Sequence, residues 1–298
     1  MASTARPDEL DSVVAMIAGE QRRPERTIIY LGDQVDGIRA ELDALSPDWR
    51  TTVRVAHGPS GELVGASVVE WDEELGRAWV QGPWVVGADG DWARWARPLF
   101  DAAVAQIPPA IVRLEMSGTT ANTRLAELAA DLGWTPSVTN FAYVLDVATT
   151  AGWPAGPDDA GLRAVVADDL PAIEPLHEAE FPASYFSATQ LVARAAAGEQ
   201  IVLVAEGDDG SLAGYAAGQV QPDGEGYIDF VAVAPSARGT GVGRRLIVGL
   251  VRQLLPATTN GRISLTVQEQ RTPARALYSS LGFREDAAVR GYRTGFDA

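Results

Sequence analysis

The sequence predicts a mixed α/β protein in which one fold is written twice, each copy a mostly antiparallel sheet flanked by helices. Three observations carry this prediction. The chain resembles itself at a constant offset of 149 residues, comparing "VRVAHGPSGELVG" (53–65) with "VLVAEGDDGSLAG" (202–214). Val53, Val55, Ala56, Gly58, Gly61, Leu63 and Gly65 match Val202, Val204, Ala205, Gly207, Gly210, Leu212 and Gly214. A second pair, "AELAADLGW" (126–134) and "RALYSSLGF" (275–283), keeps the same offset. It sets Gly133 against Gly282 and Trp134 against Phe283. Self-similarity at one fixed spacing marks a repeated unit. The other two observations are a linker composition in "ATTAGWPAGPDDAG" (148–161) and a switching of apolar period between helix and strand within each half. The expected domains are therefore 1–147 and 162–298.

The elements of the second copy follow in order. Asp168 to Ala179 has helical spacing with acids near its start. "SATQLVARAAAG" (187–198) is a second helix, with Ser187 and Gly198 as its end signals. "IVLVAEG", "LAGYAAGQVQ" and "GYIDFVAVAP" read as three strands, the first two joined by the turn "DDGS". "GVGRRLIVGLVRQLL" is an amphipathic helix, "RISLTVQ" a strand, and "PARALYSSLG" a helix opened by Pro273 and closed by Gly282. "FREDAAVRGYRTG" ends the copy as a short strand or hairpin. Residues 1 to about 26 read as a short helix and a mobile entry.

Composition narrows the function classes. A net charge of −16 argues against nucleic acid and against an anionic membrane surface as partners. Cysteine is absent, which excludes disulfides, thiol catalysis and Cys-ligated metals. With His57 and His177 the only histidines, a His-rich metal site is excluded too, and no metal is expected. No apolar stretch approaches the roughly 20 residues of a membrane span, and the opening residues lack a signal-peptide pattern. A cytoplasmic monomer or homodimer is the expectation.

The chemistry concentrates in "FVAVAPSARGTGVGRRL" (230–246). A strand ends at Pro235, glycines stand at 239, 241 and 243, and a helix begins with Arg244 and Arg245. Arginines at a helix N-terminus oppose the macrodipole unless an anion occupies the turn. Strand, glycine turn and helix together present backbone N–H groups to such an anion. Lysine is absent, so the turn is not a P-loop, and the spacing is not G-x-G-x-x-G. In the first copy the same place reads "VVGADGDWARW" (85–95), where Asp89 and Asp91 can cap their own helix and would repel phosphate.

These residues resemble the acetyl-CoA signature of the GCN5-related N-acetyltransferase (GNAT) superfamily, V-x-V-x-P-x-x-R-G-x-G-x-G/A. Val231, Val233, Pro235, Arg238, Gly239, Gly241 and Gly243 match it. Ala274, Tyr278, Gly282 and Phe283 match the second signature, A-x-x-x-Y-x-x-x-G-F. The two-copy arrangement is similar to that of tandem members such as the mycothiol synthases. The resemblance implies that acetyl-CoA is the acyl donor, with its pyrophosphate on the amides of Arg238, Gly239, Thr240, Gly241, Val242 and Gly243 and beside Arg244. Its pantetheine would run along Val231, Ala232 and Val233. Arg271 stands where the family often has asparagine, and it joins the expected cofactor contacts.

The implied activity is acetyl transfer to a primary amine of a small molecule by direct attack. Alternatives are acetylation of an amino-pseudodisaccharide and a non-catalytic acyl-CoA-binding regulator. Tyr278 is the expected general acid. Strand alternation puts Glu225, Tyr227, Asp229, Val231 and Val233 on one face and Ile228, Phe230 and Ala232 on the other. An acid inside so apolar a strand needs a partner or a use, which makes Asp229, and then Glu225, the candidate base. Glu180 and Tyr185, in "LHEAEFPASYF" (176–186), and Tyr227 are the expected acceptor contacts. His177 reads as a surface or capping residue.

Overall fold

The computed structural model describes residues 2–29, 31–153, 161–182, 184–207 and 210–295. The core of the expected linker and the tip of the "DDGS" turn lie outside them. By packing, the chain divides into a first unit of residues 1–141 with 287–298 and a second of residues 142–286.

The first unit begins with β1 (Ser3–Thr4), α1 (Leu10–Gln21), α2 (Val35–Asp43) and α3 (Trp49–Thr52). It continues with β2 (Arg54–His57), β3 (Leu63–Asp72), β4 (Arg77–Val85), α4 (Asp89–Val104), β5 (Arg113–Thr119), α5 (Thr123–Asp131) and β6 (Thr135–Pro136). Its strands run in the order β1-β2-β3-β4-β5, antiparallel except for the parallel β4–β5 pair. The N-terminal segment is more structured than its composition suggests. Val13, Val14 and Ile17 of α1 are fully buried beside Ile38, Leu42, Trp49 and Trp84. Buried Gln21 accepts from Ile28 N and donates to Leu31 O, tying the following segment to α1.

Between the units' main sequences come β7 (Asn140–Asp146) and α6 (Val147–Thr150). The second unit then has β8 (Leu162–Ala164), α7 (Leu170–Glu180), α8 (Ala188–Ala196), β9 (Ile201–Glu206), β10 (Leu212–Val220) and β11 (Gly226–Val233). It closes with α9 (Val242–Leu254), β12 (Arg262–Gln268), α10 (Thr272–Ser280) and the start of β13 (Arg284–Thr294). Its strand order is β8-β9-β10-β11-β12-β7. The last strand is an exchange that composition and periodicity do not reveal. Residues 142–146, from the first half of the sequence, belong to the second unit, and residues 289–294 of β13 pair with β5 in the first. The C-terminal stretch is thus one long strand, not a hairpin.

One face of the second unit's sheet packs Tyr215, Ala217, Phe230 and Ala232 against Ile173 of α7 and Leu191 of α8. Over the other lies α9, with Leu246, Leu250 and Leu254 buried. Close approach of α9 explains a repeated glycine. A Cβ on Gly214 would lie 2.5 Å from the Ala232 carbonyl oxygen and 3.2 Å from Leu246 Cδ1. Gly65 meets Trp84 O and Leu99 Cδ1 of α4 in the same way, at 2.7 and 2.8 Å.

Candidate functional site

The site is built on β11. This strand pairs with β10 along its length but with β12 only through Gly226, Tyr227 and Ile228. Beyond Ile228 the two parallel strands part, leaving the β12-facing edge of residues 229–233 outside the ladder. Pro235–Ala237 forms a single 3-10 turn after it, and α9 starts at Val242. Gly239 and Gly241 have φ of +79° and +87°. A Cβ added at either would meet nothing within 4 Å, so conformation, not crowding, calls for glycine, and the space before the turn is open. The first i→i−4 bond of α9 is Arg245 N to Gly241 O at 3.1 Å. The amides of Val242, Gly243 and Arg244 therefore face out of the helix start without intrahelical acceptors. Val233, Ala232 and Val231 lead the chain up to this point, and Thr240 Oγ1 is held on Ala237 O at 2.7 Å. An anion with several oxygens fits such a turn.

Asp229 is where β11 breaks its pattern. Ala217 pairs with Phe230 and the next residue, Gly218, with Ile228, so Asp229 is the extra residue of a β-bulge. The bulge overturns the strict alternation expected from sequence. Asp229 shares the face of Phe230 instead of that of Val231 and Val233, because Tyr185 both donates to Asp229 and packs on the Phe230 ring. Its oxygens accept from Tyr185 Oη and Gln200 Nε2, each at 2.8 Å, and from Gln219 Nε2 at 3.3 Å. Burial pushes its carboxyl up to about 6 against the lowering effect of these donors. Gln200 spends its amide donor on Asp229 and leaves its own carbonyl oxygen buried without a partner among the described residues.

Tyr278 lies on α10, buried, with its ring 6.2 Å from Tyr143 and 5.7 Å from Phe283. Its hydroxyl bonds to no described residue, and burial pushes its pKa up to about 12. The next residue back, Leu277, faces Gly243 of the turn, where an added Cβ would come within 3.5 Å of it.

Two expected cofactor contacts and one expected acceptor contact meet directly. Glu180 accepts from Arg238 Nη2 at 2.6 Å and from Arg271 Nη1 at 2.7 Å, and Arg271 also donates to the Glu180 carbonyl. One carboxylate at the end of α7 thus holds both arginines beside the glycine turn. Among the described residues Arg244 makes only a 3.5 Å contact with Ser280 Oγ. Glu225 lies before β11, at the opposite end from the turn, with its carboxylate 3.7 Å from Arg262. Tyr227 is buried and bonded to Thr266 Oγ1 at 3.0 Å. Gln200, Gln219 and Tyr143 were not singled out by sequence. A polar residue in the apolar run "LAGYAAGQVQ" was a usable signal for Gln219; Tyr143 comes from the exchanged strand and gave none.

His177 departs from its expected surface role. It is 2% exposed, with Nδ1 2.5 Å from Tyr215 Oη and Nε2 2.8 Å from the Phe186 carbonyl. A carbonyl only accepts, so Nε2 carries the proton and Nδ1 takes the Tyr215 hydroxyl. Burial lowers its pKa. A base held neutral in the fold binds fewer protons than in the unfolded chain, so stability falls as pH drops below about 6.5. Asp229, with its raised carboxyl, contributes in the opposite sense. Between pH 7.5 and 5.5 the urea midpoint of His177→Gln should therefore change more favourably than that of the parent; an identical change contradicts this.

The first unit fills the corresponding place with its own side chains. Its β4 also parts from β5, after Trp79. At the start of α4, Asp91 accepts from Ala88 N at 3.1 Å, and Asp89 from Arg124 Nε at 2.9 Å. Arg26 donates to the Gly87 carbonyl at 2.7 Å and pairs with Glu20. Glu20, Arg26, Trp84, Trp92 and Arg124 line a void of only about 10 Å³ here.

Residues 170–283 match the acetyltransferase (GNAT) family. Over 90 residues the chain is 43% identical to the mycothiol acetyltransferase of Thermomonospora curvata, spanning 29% of either protein. The full-length fold is similar to that of a GCN5-related N-acetyltransferase from Sphaerobacter thermophilus, with a TM-score of 0.66, 18% identity and coverage of 100% and 97% of the two chains. It is also similar to a tandem GNAT protein from the clavulanic acid biosynthesis pathway, with a TM-score of 0.59, 18% identity and coverage of 100% and 99%. The fold is thus the tandem GNAT one. Among the described residues no helix is long and apolar enough to cross a membrane.

Proposed function

We propose that the second unit transfers acetyl from acetyl-CoA to a primary amine of a small molecule. The glycine turn carries this reading: open space before Gly239 and Gly241, and unpaired amides at the start of α9, suit a pyrophosphate. Arg238 and Arg271 would exchange Glu180 for phosphate oxygens, and the free edge of residues 231–233 would take the pantetheine amides. The amine lone pair attacks the thioester carbonyl, the C–N bond forms, and the C–S bond breaks as the thiolate leaves. Asp229, ionised above about pH 6, takes the amine's proton directly or through water. Tyr278 gives its proton to the sulfur. Desolvation weakens Tyr278 as an acid, but it also makes a thiolate in the same site a stronger base, so the two stay matched.

The test is release of free CoA thiol from acetyl-CoA across a panel of primary amines. Amine-dependent release is expected; tight acetyl-CoA binding with no release across a broad panel would leave an acyl-CoA-binding regulator. With a competent amine, turnover should rise with pH through about 6, as Asp229 ionises. Asp229→Asn should lose that rise and about 10²-fold in turnover, the usual share of a general base. A retained rise would assign the base elsewhere.

A further inference from the structure

The first unit holds a cavity of about 250 Å³ walled by Leu31, Ala44 and Leu45, with Glu41, Glu70 and Gln81 on its lining. Glu70, on β3, accepts from Gln81 Nε2 of β4 through Oε1 at 3.0 Å. Its second oxygen has no donor among the described residues, and none of their cations lies within ion-pair distance. Burial raises its carboxyl to about 6, the mark of a charge without compensation. The second copy treats the place differently. Gln219 stands 149 residues on from Glu70, and it is one of three side chains that donate to Asp229. The first copy has the acid where the second has the amide, and supplies it with one neutral donor instead of three.

A carboxylate oxygen without a donor, in a cavity that a second acid, Glu41, also lines and that Leu31, Ala44 and Leu45 wall on the apolar side, suits a cation that brings its own hydrogen-bond donors and a short carbon body. A hard inorganic cation wants six or more oxygen ligands, which this lining does not offer. We propose that this cavity is a binding site for a small organic ammonium, with Glu70 as its counter-ion. The proposal is independent of the chemistry assigned to the second unit.

The test uses the full chain at pH 8 and n-butylammonium chloride, followed by saturation-transfer NMR on the butyl protons, with n-butanol as the neutral mimic. Saturable transfer is expected for the ammonium, with at least tenfold weaker binding of the alcohol. Glu70→Gln should weaken the ammonium by at least tenfold. Leu45→Trp, which fills the cavity and keeps the acid, should do the same and stands in if the first variant does not fold. Asp229→Asn should leave it unchanged. No saturable transfer, equal binding of the alcohol, displacement by equimolar sodium, retention in both cavity variants, or loss in Asp229→Asn would each overturn the proposal.

Discussion

Tyr278→Phe is expected to lower turnover by about 10²–10³-fold, the range of a lost general acid. Acetyl-CoA affinity should stay within about a factor of two, because the ring and its contacts with Tyr143 and Phe283 remain. Stability should change by less than about 1 kcal/mol. A hydroxyl that bonds to no described residue gives up little when removed, whereas deleting a satisfied buried hydroxyl costs roughly 1 kcal/mol or more. The combination separates catalysis from packing. A variant that loses stability along with rate, or keeps its rate, would mark Tyr278 as a core residue. Steady-state kinetics and thermal unfolding on one preparation decide it.

Gly241→Asp is the second large effect. The position has φ of +87°, which aspartate tolerates better than most residues, and nothing lies within 4 Å of the added Cβ. The variant should therefore fold. Its carboxylate would stand within about 4–6 Å of a pyrophosphate at the helix start, where like charges repel by a few kcal/mol at an effective dielectric near 20. Acetyl-CoA binding should weaken by about 10²-fold or more. The first unit carries acids of its own at the start of the corresponding helix. Asp91 there bonds back to Ala88 N, and Arg26 covers the Gly87 carbonyl.

The same comparison shows what could be read from the chain. The matches at an offset of 149 fall where the backbone leaves no choice. Gly61 and Gly210 have φ of +85° and +77° in equivalent turns, and Gly133 and Gly282 end equivalent helices at +70° and +91°. Gly65 and Gly214 admit a helix against the sheet. Local conformation dictates those residues, so the repeat and the glycine turn were legible. Asp229 was legible as a misplaced acid in an apolar strand, but its facing was not, because one bulge residue reverses the alternation and leaves no local signature. Glu180 looked like an acceptor contact because its spacing says nothing about Arg238 and Arg271, which lie 58 and 91 residues further along the chain. The exchange of edge strands between units was equally hidden, since a strand's own periodicity does not say which sheet it joins.

The central claim is that the chain has one acetyl-CoA site, in its second unit. Isothermal titration of the full chain with acetyl-CoA measures this directly. One site per chain is predicted, lost in Gly241→Asp and kept in Asp91→Gly. Two sites per chain, no binding, or an affinity unaffected by Gly241→Asp would contradict it.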